Sequence, residues 1–112
     1  MLSVTTGLIP FANHSQSIRN VFTCQQFKSA IGVPTTCLTK RMDTINYLLK
    51  HPQKPIVGTM MNKLINYDDM PTGMNITIAI LTYTGFNQED SVIINKNSIE
   101  RGLYNMYYFR TY

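Results

Sequence analysis

The chain has 112 residues, 44% of them hydrophobic, which is enough for one small packed domain and excludes a disordered chain. Charged residues make up only 14%, against roughly 25% in an ordinary soluble domain, so much of the surface is expected to be buried against something else. Ten Lys and Arg against six Asp and Glu leave a net charge of +4, scattered along the chain, and by itself this is weak support for a polyanionic partner.

Residues 2–11 read as a short strand or extended segment closed by Pro10. The opening stretch from Met1 to Ile9 is apolar but short and has no basic leader, so it is not expected to be a signal peptide. No run approaches about 18 apolar residues, and no membrane span is expected. Asn13 to Ser17 offer several helix N-cap candidates. From Ser17 to Ile31 there is neither Gly nor Pro, and Gly32-Val33-Pro34 supplies a stop, which predicts a helix over about 17–31. Cys24 and Cys37 form no Cys-x-x-Cys pair and have no clustered histidines. That argues against a zinc site or disulfide framework and for a reducing compartment.

Ile45 to Leu49 fits either a strand or a helical turn, and Pro52 and Pro55 keep the next stretch extended. Thr59 to Tyr67 is predicted as a short helix and Pro71-Thr72-Gly73 as a turn. Asn75 to Thr84, rich in Ile and Thr, reads as a strand stopped by Gly85, and Asp90 to Asn95 as a second strand candidate. Asn97 or Ser98 is placed to cap another short helix ending near Gly102. Tyr104 to Tyr112 alternates aromatic and polar residues as a strand does, and stops in mid-pattern. Strands dominate. The expected fold class is α+β, with an incomplete β-barrel-like sheet, one longer helix and two short ones.

Two local patterns carry possible chemistry. Gly85-Phe86-Asn87-Gln88-Glu89-Asp90-Ser91 puts two adjacent acids after a glycine turn, between apolar segments. Mg²⁺ takes oxygen ligands, often one or two carboxylates plus substrate phosphates, and this pair suits that role by type. On spacing alone, a solvated turn is the commoner origin of such a pair. In the other pattern, His14 to Asn20 opens a helix, where free backbone N–H groups and the forked Arg19 suit phosphate oxygens. An ordinary capped helix with a surface arginine has the same appearance, and His14 is expected to be a structural hydrogen-bonding residue. No phosphate-loop GxxxxGK[ST] occurs, and no hydrolase constellation can be argued from the residue pattern.

The two patterns gain weight together. Ile9-Pro10-Phe11-Ala12-Asn13-His14-Ser15-Gln16-Ser17-Ile18-Arg19-Asn20 resembles a segment of the second-largest subunit of multi-subunit, DNA-dependent RNA polymerases. So do Arg41-Met42-Asp43-Thr44, His51-Pro52-Gln53-Lys54-Pro55 and Met70-Pro71-Thr72-Gly73-Met74-Asn75. Gly85 to Asn95 followed by Ser98 to Leu103 resembles the family's "GYNQEDSMIMN…SSIDRGL". The matches are collinear from one end of the chain to the other. Their wording is nearer the eukaryotic, archaeal and large-DNA-virus branch than the bacterial β subunit.

The resemblance implies an internal fragment of the hybrid-binding domain (domain 6), residues 1–112, beside the cleft where template, transcript and incoming nucleotide meet. It implies that Asp90, with Glu89 beside it, approaches the second, nucleotide-associated Mg²⁺. The largest subunit would supply the three aspartates of the first metal site. Arg19 would contact the triphosphate, Phe22 would lie at the nucleotide, and Lys28 near the RNA–DNA hybrid. The implied reaction is attack of the RNA 3′-hydroxyl on the α-phosphate with release of pyrophosphate. Implied partners are the largest and other polymerase subunits, template DNA, the hybrid and nucleoside triphosphates, with no membrane. The implied location is intracellular: the nucleus for a cellular eukaryote, host cytoplasm or virion for a virus.

The chain also departs from the family. Phe22 stands where the family usually has a tyrosine, Ser29 replaces a glutamine, and Ala12 and Ile18 replace two prolines. On a regular helix Lys28 would lie about 180° from Arg19. The isolated chain is expected to be inactive. The alternative is a stand-alone nucleic-acid-binding protein whose aromatics, as in Tyr107-Tyr108-Phe109-Arg110, stack on bases.

Overall fold

A computed structural model describes residues 2–33 and 35–112. Met1 and Pro34, the latter part of the expected helix stop, lie outside the described residues. The first element corrects the expected extended segment. The Ser3 hydroxyl accepts the Thr6 N–H at 3.3 Å and lies 2.9 Å from the Thr6 hydroxyl. This cap starts helix α1 (Val4–Gly7), and a cap at the right spacing outweighs the strand preference of Val and Thr.

Helix α2 (Ser17–Phe27) starts where expected but stops four residues early. Its last turn tightens, with Ser29 N–H donating to the Gln26 carbonyl and Ala30 N–H to that of Phe27. Gly32, at φ 128°, then turns the chain so closely onto Thr72 that an added Cβ would sit 3.2 Å from its methyl. Beyond Lys28 the chain thus leaves the helix and runs to Thr72. Helix α1 packs on α2 through the Thr6 hydroxyl and Cys24 thiol, 3.2 Å apart.

Ile45–Leu49 is a strand, β1, and it pairs antiparallel with β2 (Met106–Arg110). Tyr47 faces Tyr108 across the ladder with ring centroids 5.4 Å apart. Backbone bonds from Lys50 to Asn105 and from Thr111 to Thr44 extend the ribbon at both ends. Helix α3 (Met60–Leu64) and a 3-10 turn, Tyr67–Asp69, replace the single helix expected over 59–67. The left-handed Asn66 (φ 56°) separates them. Helix α4 (Lys96–Glu100) is capped by Asn95, whose side chain accepts the Asn97 N–H at 2.9 Å, two positions before Asn97, the nearer of the two expected caps.

The chain is therefore mixed helix and strand, as α+β requires. The sheet, however, is an open two-stranded ribbon, and four α-helices occur among the described residues rather than three. Neither Asn75–Thr84 nor Asp90–Asn95 forms a ladder. The Ile- and Thr-rich composition that marked the first as a strand is there, but no described strand pairs with it. Ile80 is consequently 98% exposed. A strand needs a neighbour to take its N–H and C=O groups.

What core exists is small. Leu49, Tyr67, Asn62, Thr72 and Gly102 are the buried residues among those described. The Tyr67 hydroxyl lies 2.8 Å from that of Thr72, and the Phe27 ring from α2 packs on Tyr67 at 5.9 Å. The accessible surface is 9554 Å², against about 6,300 Å² for a folded monomer of this mass. The radius of gyration is 16.2 Å, against about 13 Å for a compact chain of this length. The low charge content thus has a structural counterpart in apolar surface left open.

Candidate functional site

The acid pair sits on a loop built by neutral side chains. Thr84 and Gly85 both take positive φ, 57° and 78°, which reverses the chain after the extended segment. The Asn87 amide then spans the reversal: its oxygen accepts the Tyr83 N–H at 3.3 Å and its nitrogen donates to the Leu81 carbonyl at 2.6 Å. On the far side the Ser91 hydroxyl donates to the Phe86 carbonyl at 2.9 Å and also lies against that of Gln88. Glu89 itself is held at φ 58°, a left-handed conformation that costs a non-glycine residue about 1–2 kcal/mol.

With Asn87 and Ser91 holding the loop, neither acid is needed to hold it. Glu89 and Asp90 are both exposed. The described ion pairs are Arg41–Asp43, Lys54–Asp68 and Lys96–Glu100. Among the described residues Glu89 and Asp90 thus form no ion pair; Asp69 also forms none, but the other two are adjacent on one loop. Asn87 and Ser91 are the residues that motif reading passed over. Their signal was present, since Asn and Ser beside a glycine turn are the side chains that bond to nearby backbone.

Arg19 lies in the first turn of α2, exposed, and its backbone carbonyl accepts the Thr23 hydroxyl at 3.0 Å. The N-cap of α2 is Gln16, which makes no side-chain cap bond, and no acid lies in the first turn. None of the expected Asn or Ser caps is used. The start of α2 therefore presents uncapped N–H groups next to a guanidinium. Asn20 ties this end down by donating to the Ala12 carbonyl at 2.8 Å. His14, expected as a hydrogen-bonding residue, instead packs edge-on against Phe11, ring centroids 5.3 Å apart.

Phe22 follows Arg19 by three residues on the same helix and is half exposed, a ring with no hydroxyl to offer. Lys28 is the C-cap of α2 and remains in the helical region, φ −63° and ψ −22°. Helical continuity therefore keeps it about 180° from Arg19, so the two serve different neighbours. No described hydrogen bond or ion pair joins Arg19 or Lys28 to the acid loop. Glu89 and Asp90 fit a partial oxygen ligand set for Mg²⁺. No cluster of three or more His, Cys, Asp or Glu side chains able to hold a metal occurs among the described residues, so further protein ligands would come from outside this stretch.

Comparison with known proteins matches residues 5–112 to the family described as RNA polymerase Rpb2, domain 6. The chain belongs to this family. It is 43% identical over all 112 residues to the DNA-directed RNA polymerase subunit Rpo2 of Sulfolobus acidocaldarius, covering 10% of that protein. To the DNA-directed RNA polymerase II subunit RPB2 of Encephalitozoon cuniculi it is 40% identical over the same 112 residues, again 10% of the relative. To the DNA-directed RNA polymerase III subunit RPC2 of Saccharomyces cerevisiae it is 44% identical over 102 residues, 91% of this chain and 9% of that one. The chain spans about a tenth of the length of the curated relatives it matches. The resemblance to the second-largest polymerase subunit is borne out.

Proposed function

We propose that this stretch is the accessory half of a nucleotide-addition centre in a DNA-dependent RNA polymerase, within its hybrid-binding region. The observation that carries the reading is the presence of two features in one Rpb2 domain 6 chain. An exposed arginine stands at an uncapped helix start, and an exposed acid pair stands on a loop held entirely by other side chains.

Asp90, with Glu89 beside it, would hold the second Mg²⁺, which supplies charge neutralisation at the phosphate oxygens during transfer. Arg19 and the first-turn N–H groups of α2 bind the triphosphate and hold it in line for the RNA 3′-hydroxyl. Phe22 offers a flat apolar face to the nucleotide. Lys28, on the other side of α2, contributes positive charge toward the RNA–DNA hybrid. No side chain of this stretch is required as a covalent nucleophile, because positioning and electrostatics dominate phosphoryl transfer. The largest polymerase subunit supplies the first metal site, and the open apolar surfaces of residues 75–94 and of the ribbon are covered by other parts of the enzyme. The setting is intracellular, with template DNA and nucleoside triphosphates as ligands.

The test is Asp90→Ala in the assembled polymerase. Nucleotide addition should slow far more than DNA binding weakens. Equal losses in both would remove Asp90 from the metal site.

A further inference from the structure

Asn62 is buried to 3% exposure, yet it lies between two open clefts of about 470 and 240 Å³. Its amide nitrogen donates to Asp68 Oδ1 at 3.4 Å, and Asp68 Oδ2 is 3.3 Å from Lys54 Nζ. On its other side the Thr59 hydroxyl donates to the Gly7 carbonyl at 2.6 Å and is shared, more weakly, with Asn62 Oδ1 at 3.4 Å. Gly7 ends α1, and the Met61 side chain packs within 3.3 Å of the position a Gly7 Cβ would occupy. Helix α1 in turn meets α2 through Thr6 and Cys24, while Phe27 rests on Tyr67 at the other end of the same segment. Residues 59–68 thus hold α2 twice, once directly and once through α1.

We infer that Thr59 and Asn62 are positioning residues for Arg19: they fix α1, and through it the placement of the helix start that carries the guanidinium. The inference rests on the reading of Arg19 as a triphosphate contact. The Thr59–Gly7 bond is the strong link, because it is short and joins segments 52 residues apart in sequence. Asn62 keeps that hydroxyl aimed, and Asp68 with Lys54 keeps Asn62 in place. A double-mutant cycle measures this coupling.

The experiment is single-nucleotide addition by the assembled polymerase over a range of nucleotide concentrations. The variants are Thr59→Val, Thr59→Ser, Asn62→Leu, Arg19→Ala and the double Thr59→Val/Arg19→Ala. Thr59→Val and Asn62→Leu should raise the apparent KM about three- to tenfold with the maximal rate within about twofold, and Thr59→Ser should restore the wild-type KM. In the Arg19→Ala background Thr59→Val should add nothing. A wild-type KM for Thr59→Val, or an effect that fully multiplies with that of Arg19→Ala, overturns the inference. So does failure of Asn62→Leu to assemble while Thr59→Val keeps its KM, since Asn62 then serves stability alone. An unchanged KM for Arg19→Ala overturns instead the nucleotide-site reading beneath it.

Discussion

Two glycines offer a test with opposite signs. An added Cβ at Gly58 would lie 2.7 Å from the Asn62 amide nitrogen, closer than atoms tolerate, whereas one at Gly73 meets nothing within 4 Å. Neither residue has a left-handed φ, so space and not backbone strain decides. At Gly58 the obstructing atom is not the free end of a flexible chain, because Asn62 is buried and bonded on both sides. Displacing it gives up two long hydrogen bonds, each at the weak end near 0.5 kcal/mol, and overpacking a filled site adds about 1–3 kcal/mol. A stiffer unfolded chain returns about 0.4–1 kcal/mol. Gly58→Ala should thus lose about 2 kcal/mol, while Gly73→Ala should gain about 0.4–1 kcal/mol. Hydrogen exchange in the assembled polymerase reads this locally: amides of residues 60–65 should exchange about thirtyfold faster in Gly58→Ala. Unchanged or slower exchange there would refute the packing argument. A loss at Gly73 would mean that the space beside it is filled in the assembled enzyme.

The buried hydroxyl pair gives a second test. Tyr67→Phe or Thr72→Val alone should cost about 1–3 kcal/mol by leaving a buried group unpaired, and the double variant should cost less than the sum. Additive losses in denaturation of the subunit would show that the bond contributes nothing. Glu89→Gly should relieve the φ of 58° and stabilise the loop by about 1 kcal/mol while removing a carboxylate. Slower exchange at residues 87–91 together with weakened nucleotide addition is expected, and faster exchange would contradict the strain. Arg19→Ala should raise the apparent KM for nucleotides, and unchanged nucleotide kinetics would take Arg19 out of the site. The isolated 112-residue chain should synthesise no RNA, and template-directed product from it alone would contradict the division of labour proposed.

How far the fold was legible depended on whether its determinants were local. The start of α2, the helix at 96–100 and the strand at 106–110 follow from residue pattern and glycine stops, all within a few residues, although the expected cap residues were not the ones used. The early end of α2 does not, because the segment after it packs through Gly32 on Thr72, forty residues away. The first ten residues were misread because the Ser3–Thr6 cap was weighed less than the β-branched composition. The segment from Asn75 to Thr84 has a strand's pattern without a strand's partner, and a pattern cannot supply the second half of a ladder. At the proposed site, Arg19, Glu89 and Asp90 were singled out through motifs, and all three are exposed. The Thr59–Asn62–Asp68 network was invisible, since it joins residues that share no periodicity and meets α1 across 52 positions.

The β1–β2 ribbon has a consequence for the order in which the molecule is made. Its paired residues are roughly sixty positions apart, so closing it costs about 4 kcal/mol of chain entropy before any contact offsets it. Translation at about 5–20 residues per second leaves β1 waiting several seconds for its partner. Throughout that interval α3, the isoleucine-rich segment and the acid loop sit in an unclosed loop with their apolar side chains in water. Such a segment is a natural client for a chaperone during synthesis. Glu89 and Asp90 lie inside that loop, so within this stretch their positions are fixed only after the ribbon closes.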